Sequence, residues 1–351
     1  MAPRLSARRL THYLPVSCPD RPQPPTRLPY PAVSPANPPL RPLSGDARLQ
    51  WFKLLMTRNV LAWTVYPVTM ICAFAAQAVL QSNGVPILAA AYVAVTIVAG
   101  AVTFFEFVIP YDRAWQPRWA DVKNDLLFMV AVQMVLPQLL GLLIALTLLD
   151  SLESVALPIV QLWPRSLPVW IQVALMLLVA ELLRYSLHVA AHNTSALWRL
   201  HAVHHSPDRL YWLNVGRFHP VEKTLQYTLD TLPFILLGVG PEVVALYFVF
   251  YAVNGFYQHS NVDVRYGLLN YIVSGPELHR WHHSKQIHES NRNYGNNLIV
   301  WDLVFGTWLL PRDTRVGDLG LLNRDYPTGF VAQLTAPLTP GLDKQSPPDA
   351  R

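Results

Sequence analysis

The sequence predicts an all-α integral membrane protein, with about four transmembrane helices, a shallow membrane hairpin and a cytoplasmic helical cap carrying the histidine-rich motifs. Three observations support this expectation. Apolar residues make up 52% of the 351 positions and mean hydropathy is +0.23, high for a soluble chain of this length. No charged residue lies between Arg58 and Glu106. Eleven of the twelve histidines fall between His188 and His288, beyond three long apolar stretches.

Residues 1–45 hold the proline-dense tract PDRPQPPTRLPYPAVSPANPPLRP, which can neither form a helix nor pack a core, and they read as a disordered tail. Residues 46–168 carry the first three spans and their loops. The uncharged stretch divides at SNGVP into spans at 60–81 and 87–109, and a third runs over 126–149. A fourth begins at residue 169 and runs towards His188. Each approaches or exceeds the roughly 20 residues needed to cross a hydrocarbon core of about 30 Å. Loop charge sets the direction, because Lys and Arg stay on the cytoplasmic side. The segment up to Arg58 has nine Lys or Arg against Asp20 and Asp46, and the first hairpin loop has none. Arg113, Arg118 and Lys123 occupy the second loop, whereas Arg165 stands in the third with Asp150 and Glu153. The N-terminus and everything after His188 are therefore expected in the cytoplasm. The net charge of +5 is accounted for by this asymmetry and calls for no nucleic acid.

Residues 169–311 form the expected catalytic domain. Two apolar pieces at 225–239 and 243–256 are separated by the breaker GPE, and at 1.5 Å per residue neither comfortably crosses alone. A hairpin that enters and returns on one side keeps His219 and His259 with the other histidines. Residues 312–351 show no periodicity and read as a polar C-terminal tail.

The histidine spacing carries the chemistry. Residues three and four apart share a helix face, so HxxxH at His188 and His192 aims two imidazoles at one point. The HxxHH strings give His201, His204 and His205, then His279, His282 and His283. His219 in RFHP and His259 in YQHSN are further candidates, His219 either as a ligand or as a residue that orients one. About ten donors exceed the four that one zinc needs, which points to two metals. Imidazoles with few nearby acids suit iron, zinc, copper or nickel better than magnesium or calcium. His12 and His288 lie outside the motifs and read as structural. Cys18 and Cys72 offer neither a disulfide framework nor a thiolate site. The zinc-protease HExxH, GxGxxG, a Walker loop and CxxCH are absent, so electrons for redox chemistry must come from another protein. Glu181 sits seven residues before His188 on the same face, either supporting the site or paired with Arg184. Tyr211, Trp212, Phe218, Phe256, Tyr257 and Trp281 fit a lipid-chain pocket or an interfacial belt. Arg209, Arg217 and Lys223 could receive an anionic headgroup, or serve as ordinary membrane-surface cations.

Together, ELLRYSLHVAAH, RLHAVHHSPD, NVGRFHP, YQHSN, ELHRWHHS and NYGNNLIVWDLVFGTW resemble the fatty acid hydroxylase/sterol desaturase superfamily over residues 169–308. That resemblance implies two irons held by His188, His192, His201, His204, His205, His259, His279, His282 and His283, with His219 a further member. It also implies O2 as co-substrate and hydroxylation of an unactivated C–H bond in a membrane lipid. A ferredoxin, flavoprotein or cytochrome-type donor would supply the electrons. Asn214, Asn261 and Asp302 become candidates for holding ligand imidazoles, or for polar turn and cap roles. Val189 and Glu181 stand where the family commonly has a basic residue and an Asp. The resemblance leaves desaturation and oxidative demethylation open beside hydroxylation. A metal transporter is the reading outside enzymes, but it predicts histidines or acids along the spans, where Glu181 is the one obvious acid. With 22 Arg to 5 Lys the source looks like a GC-rich bacterium, which places the chain in an inner membrane and makes polar lipids such as ornithine lipids plausible substrates.

Overall fold

A computed structural model describes residues 45–147, 162–312 and 314–342, with 45–55, 145 and 147 described by backbone alone. Residues 1–44, and with them His12, Cys18 and almost all of the proline-dense tail, lie outside the described residues. Met1–Gln50 is a unit apart from Trp51–Arg351, and the histidine motifs belong to the latter.

Helix α1 (Gly45–Ser82) and α2 (Ile87–Val108) form the first hairpin, turning at 83–86. The third span starts earlier than its apolar run. Helix α3 (Trp119–Phe128) begins among charged residues because Asp121 accepts from the Arg118 amide at 3.2 Å and so caps the first turn. A seven-residue π-helical stretch, Met129–Val135, then leads into α4 (Leu136–Thr147). Gly216 lies against this stretch so closely that a Cβ there would meet the Met129 Cα at 3.1 Å. Helix α5 (Val169–Asn193) is the fourth span. Among the described residues, four helices are long and apolar enough to cross a membrane: Met56–Ser82, Ile87–Val108, Trp119–Ile144 and Val169–Asn193. Val60, Ile71, Val79, Ile97, Phe104, Leu139 and Leu142 are exposed on them, as lipid-facing residues should be.

Helix α6 (Ser195–His205) follows α5 directly. The hairpin consists of α7 (Pro220–Asp230) and α8 (Leu232–Leu236), then α9 (Pro241–His259). Pro233 and Pro241 cannot donate to a helix interior and sit at the first turns of α8 and α9. At its tip the hairpin reaches the level of the loop before α5, since Trp163 N donates to Leu237 O at 3.0 Å and Arg165 Nε to Gly238 O at 2.7 Å. It therefore dips as far as α5 runs. Lipid tails are as apolar as leucine, so burial gives little drive between spans and close packing must hold them. Helix α2 presents Ala91, Val95, Val98 and Val102 to the core it shares with Val249, Val253 and Phe256 of α9.

Short helices complete the cap: α10 (Pro276–His282), α11 (Ile287–Ser290), α12 (Val300–Phe305) and α13 (Phe330–Thr335). No strand forms among the described residues, which contain isolated β-bridges such as Pro110 to Val262. The segment expected to be a polar tail is instead part of the fold in its described portion. Leu321, Tyr326 and Ala336 are buried against Trp198, Ala202 and Val203 of α6. Its apolar residues follow no helical or alternating period, so pattern alone did not reveal them.

Candidate metal centre

Helices α5, α6, α9 and α10 end at one level and bring nine histidines together. Their donor atoms form two groups, each within 4.8 Å: His188, His192, His201, His205 and His282, then His204, His259, His279 and His283. The HxxHH spacing explains the division. On a helix, i and i+4 lie about 40° apart, whereas i+3 falls on the other side of i. Accordingly His201 and His205 join the first group while His204 joins the second, and His279 with His283 join the second while His282 joins the first. Each triplet thus contributes to both clusters.

Within the clusters the Nε2 atoms meet. His188 faces His201 at 2.9 Å, and His205 lies 3.1 Å from both His192 and His282. In the second group His279 lies 3.0 Å from His259 and from His283. Metal–nitrogen bonds of about 2.0–2.1 Å at right angles place neighbouring donors about 3 Å apart, so the spacing fits a shared cation. Tautomers support the fit. Six imidazoles turn Nδ1 to an acceptor: His188 to Tyr294 O at 2.6 Å, His192 to Asn291 Oδ1 at 3.1 Å, His201 to Glu222 Oε1 at 2.7 Å, His204 to Arg217 O at 3.3 Å, His259 to Asn214 Oδ1 at 2.9 Å and His282 to Arg292 O at 2.9 Å. With Nδ1 donating, Nε2 is left as a lone pair aimed at the centre. Burial, followed by neighbouring imidazoles, holds His204, His205, His279 and His283 well below the ordinary histidine range, and burial lowers His259 to about 3. Neutral rings with converging lone pairs are the state in which a transition metal is bound.

Two loops, each tied to acids, hold five of these rings, and Glu222 of α7 holds the sixth, His201. Residues 291–297 supply Asn291 Oδ1, Arg292 O and Tyr294 O to the first cluster. Asp302 accepts from the Tyr294 and Gly295 amides at 2.8 and 2.7 Å, and Glu181 from those of Asn296 and Asn297. The second loop, 211–217, supplies Asn214 Oδ1 and Arg217 O. Asp125 receives the Tyr211 hydroxyl and the Arg217 guanidinium, and Glu106 accepts from Trp212 N at 2.7 Å and Asn261 N at 2.9 Å. Three span acids, Glu106, Asp125 and Glu181, therefore hold the loops that position the histidines.

A cavity of about 660 Å³ opens beside both clusters, with His188, His201, His204 and His279 in its wall. Trp212, Phe218 and Phe256 line it, whereas Tyr211 is engaged with Asp125 and Tyr257 takes a hydroxyl bond from Thr69 at 2.8 Å.

A fatty acid hydroxylase family model matches residues 173–307. The ornithine lipid hydroxylase OlsE of Rhizobium tropici is 36% identical over 246 residues, which cover 68% of this chain and 72% of that protein. The chain belongs to the fatty acid hydroxylase family. Alkylglycerol monooxygenases of Danio rerio and Homo sapiens are 32% and 31% identical over 124 residues, 35% of this chain. The chain spans 27% of the length of each. No solved structure matches it. Membership makes the protein an oxidoreductase of an iron-dependent, histidine-rich hydroxylase family, and its four apolar helices make it an integral membrane protein.

The structure does not bring every expected residue to the two histidine clusters. His219 caps α7, its Nδ1 accepting from Val221 N at 3.2 Å, and its Nε2 points to Leu334 O at 3.1 Å. Asn261 exchanges bonds with the Asp112 backbone rather than with an imidazole. Glu181 and Asp302 act on the 291–297 backbone, and Arg184 pairs with Asp230 at 3.2 Å. Asn214 does meet a histidine. Glu222, Asn291 and the carbonyls of Arg217, Arg292 and Tyr294 were not anticipated. Glu222, three residues past His219 in a helix with an apolar face, was the one readable signal, because a buried acid needs a partner.

Proposed function

We propose that this protein inserts one atom of O2 into a C–H bond of a polar membrane lipid, with two irons held by the nine clustered histidines. Two electrons come from a separate one-electron carrier, and the site faces the cytoplasm of a bacterial inner membrane. The balance is R–H + O2 + 2 e⁻ + 2 H⁺ → R–OH + H2O. The single observation that carries the reading is a lipid-sized cavity walled by histidines of both clusters. The irons would supply oxygen activation. The chain's own residues orient the ligand rings, and Val95, Trp212, Val215, Phe218, Phe248 and Phe256 provide an apolar wall along which an acyl chain can lie. Ornithine lipid, the substrate named for the Rhizobium relative, is the first lipid to test.

Membranes holding the protein, a reducing system and isotopically labelled O2 should yield a lipid heavier by one labelled oxygen. Purified protein should carry about two equivalents of iron, bearing in mind that affinity alone does not enforce metal identity. Loss of two hydrogens without label would indicate desaturation. Full activity with one metal or none would refute the dinuclear site.

A further inference from the structure

We infer that the polar end of the cavity is a headgroup site for a zwitterionic lipid, in which Lys223 takes acidic oxygens and Glu222 with Gln226 take the ammonium. The inference rests on the proposed oxidation of a polar lipid and specifies its substrate class.

Most of the cavity wall is apolar, but α7 turns Glu222, Lys223 and Gln226 into it. All three are more than nine-tenths buried, at 5, 6 and 3% exposure. Their hydrogen-bonding capacity is not used up. Glu222 spends Oε1 on His201 and on Gln226 Nε2, leaving Oε2 without a donor, and Gln226 Oε1 also has none. Lys223 reaches the Tyr251 hydroxyl at 3.1 Å, with its ammonium 5.2 Å from that ring, and forms no ion pair among the described residues. The neighbouring cations differ. Arg184 pairs with Asp230, Arg217 with Asp125 and Arg209 with Asp208. A buried ammonium without a counter-charge, next to buried acceptors without donors, is costly unless a ligand supplies both.

The occupant must therefore present acidic oxygens and N–H donors together. A fatty acid offers the first alone, and a diacylglycerol offers neither. Position fixes the orientation. Glu222 is bonded to His201, so the polar end lies beside the metals. Residues of α9 line the cavity from Gln258 back to Pro241, about 25 Å at 1.5 Å per residue, room for a chain extending away from the histidines. The carbons presented to His188, His201 and His204 then belong to the headgroup or lie next to it.

The test uses purified metal-free protein in detergent and lipids with identical acyl chains, with retention read by native mass spectrometry. The probes are an aminoacyl lipid bearing free carboxylate and ammonium, its methyl ester, its N-acetyl form, phosphatidylethanolamine and diacylglycerol. Each capped form should bind about tenfold or more weakly than the zwitterion, the scale of a charge-assisted bond. Lys223→Met should weaken the zwitterion by a similar factor while leaving the methyl ester unchanged, and Lys223→Arg should retain the preference. Phosphatidylethanolamine binding as tightly as the aminoacyl lipid would support the site with phosphate oxygens as the anion; weaker binding would support it with a carboxylate. Equal retention by the wild-type protein of the zwitterion, both capped forms and diacylglycerol would overturn the inference, and this comparison does not depend on any variant folding. If the preference holds yet no lipid takes up labelled oxygen, the oxidation reading fails and the headgroup site stands.

Discussion

At the residue scale, His219 and His204 are both one helix turn from Glu222 or its partner, yet they do different things. His204→Ala removes a donor from the second cluster and should lower bound iron and abolish turnover. His219→Ala removes a cap on α7, which costs about 0.5–2 kcal/mol, and should leave iron content and turnover near wild type. Iron analysis of both variants checks this, and loss of iron from His219→Ala would refute the assignment. Sequence spacing identified eight of the nine clustered histidines because i, i+3 and i+4 are a geometric statement about any helix, whereas His259 stands alone in YQHSN and joins the ligands through the family resemblance. The acceptors on their Nδ1 atoms come from residues 10 to 106 positions away in the chain, so no local period reveals them. Burial of the imidazoles also sets a pH dependence. The ordinary histidine value is about 6.5; the folded values of His204, His205, His279 and His283 lie well below it, and that of His259 is about 3. Below about pH 6.5 the unfolded chain binds protons that the folded chain does not, so stability rises with pH in that window and is lost on acidification. The melting temperature of metal-free protein should hold above pH 7 and fall progressively below 6.5. A flat or opposite profile would contradict the buried neutral state.

At the element scale, the loop at 291–297 acts as one rigid part. Asn293 adopts φ 55° and donates to Leu278 O and Leu309 O, while Asp302 and Glu181 anchor the amides on its far side. Gly295 is confined. A Cβ there would meet Leu298 O at 2.3 Å and Asp302 Oδ2 at 3.1 Å, both held by backbone or by hydrogen bonds. Gly295→Ala must displace the loop, and with it the Tyr294 carbonyl that orients His188. The expected result is about 1–3 kcal/mol of lost stability, the usual scale of overpacking, and iron lost from the first cluster ahead of the second. Thermal unfolding and iron stoichiometry measure the two effects. The spans themselves were legible, because length and absence of charge suffice to mark them. The early start of α3 and the π-helical stretch were not, because Asp121 as a cap and Gly216 as a neighbour depend on the folded arrangement.

At the scale of the whole molecule, one end carries the chemistry and the other is an uncharged turn. Arg58, at the entry to the first span, donates to Pro110 O at 2.8 Å and pairs with Asp263 at 3.0 Å, which closes the histidine end around both termini of the first helical hairpin. The turn at 83–86 and the loop at 162–168, met by the tip of the second hairpin, lie at the far end. The described spans hold four acids where Glu181 was expected as the one obvious acid: Glu106, Asp125 and Glu181 serve the histidine end, and Asp121 caps the first turn of α3. None marks a metal path through the bilayer, as a transporter would require. Arg58 stands at the histidine end, and in the proposed topology, where Lys and Arg stay on the cytoplasmic side, that end would face the cytoplasm. A reporter inserted at residue 84 should therefore be periplasmic and one fused at the C-terminus cytoplasmic, because the described portion of the C-terminal segment packs on α6 beside the clusters. That proposed orientation would let a soluble cytoplasmic electron carrier reach the histidine clusters and would draw the lipid from the inner leaflet, headgroup towards the histidines. Both reporters on one side would refute this arrangement, and the 84 fusion in the cytoplasm with the C-terminal one in the periplasm would reverse the direction of electron supply and of substrate entry together.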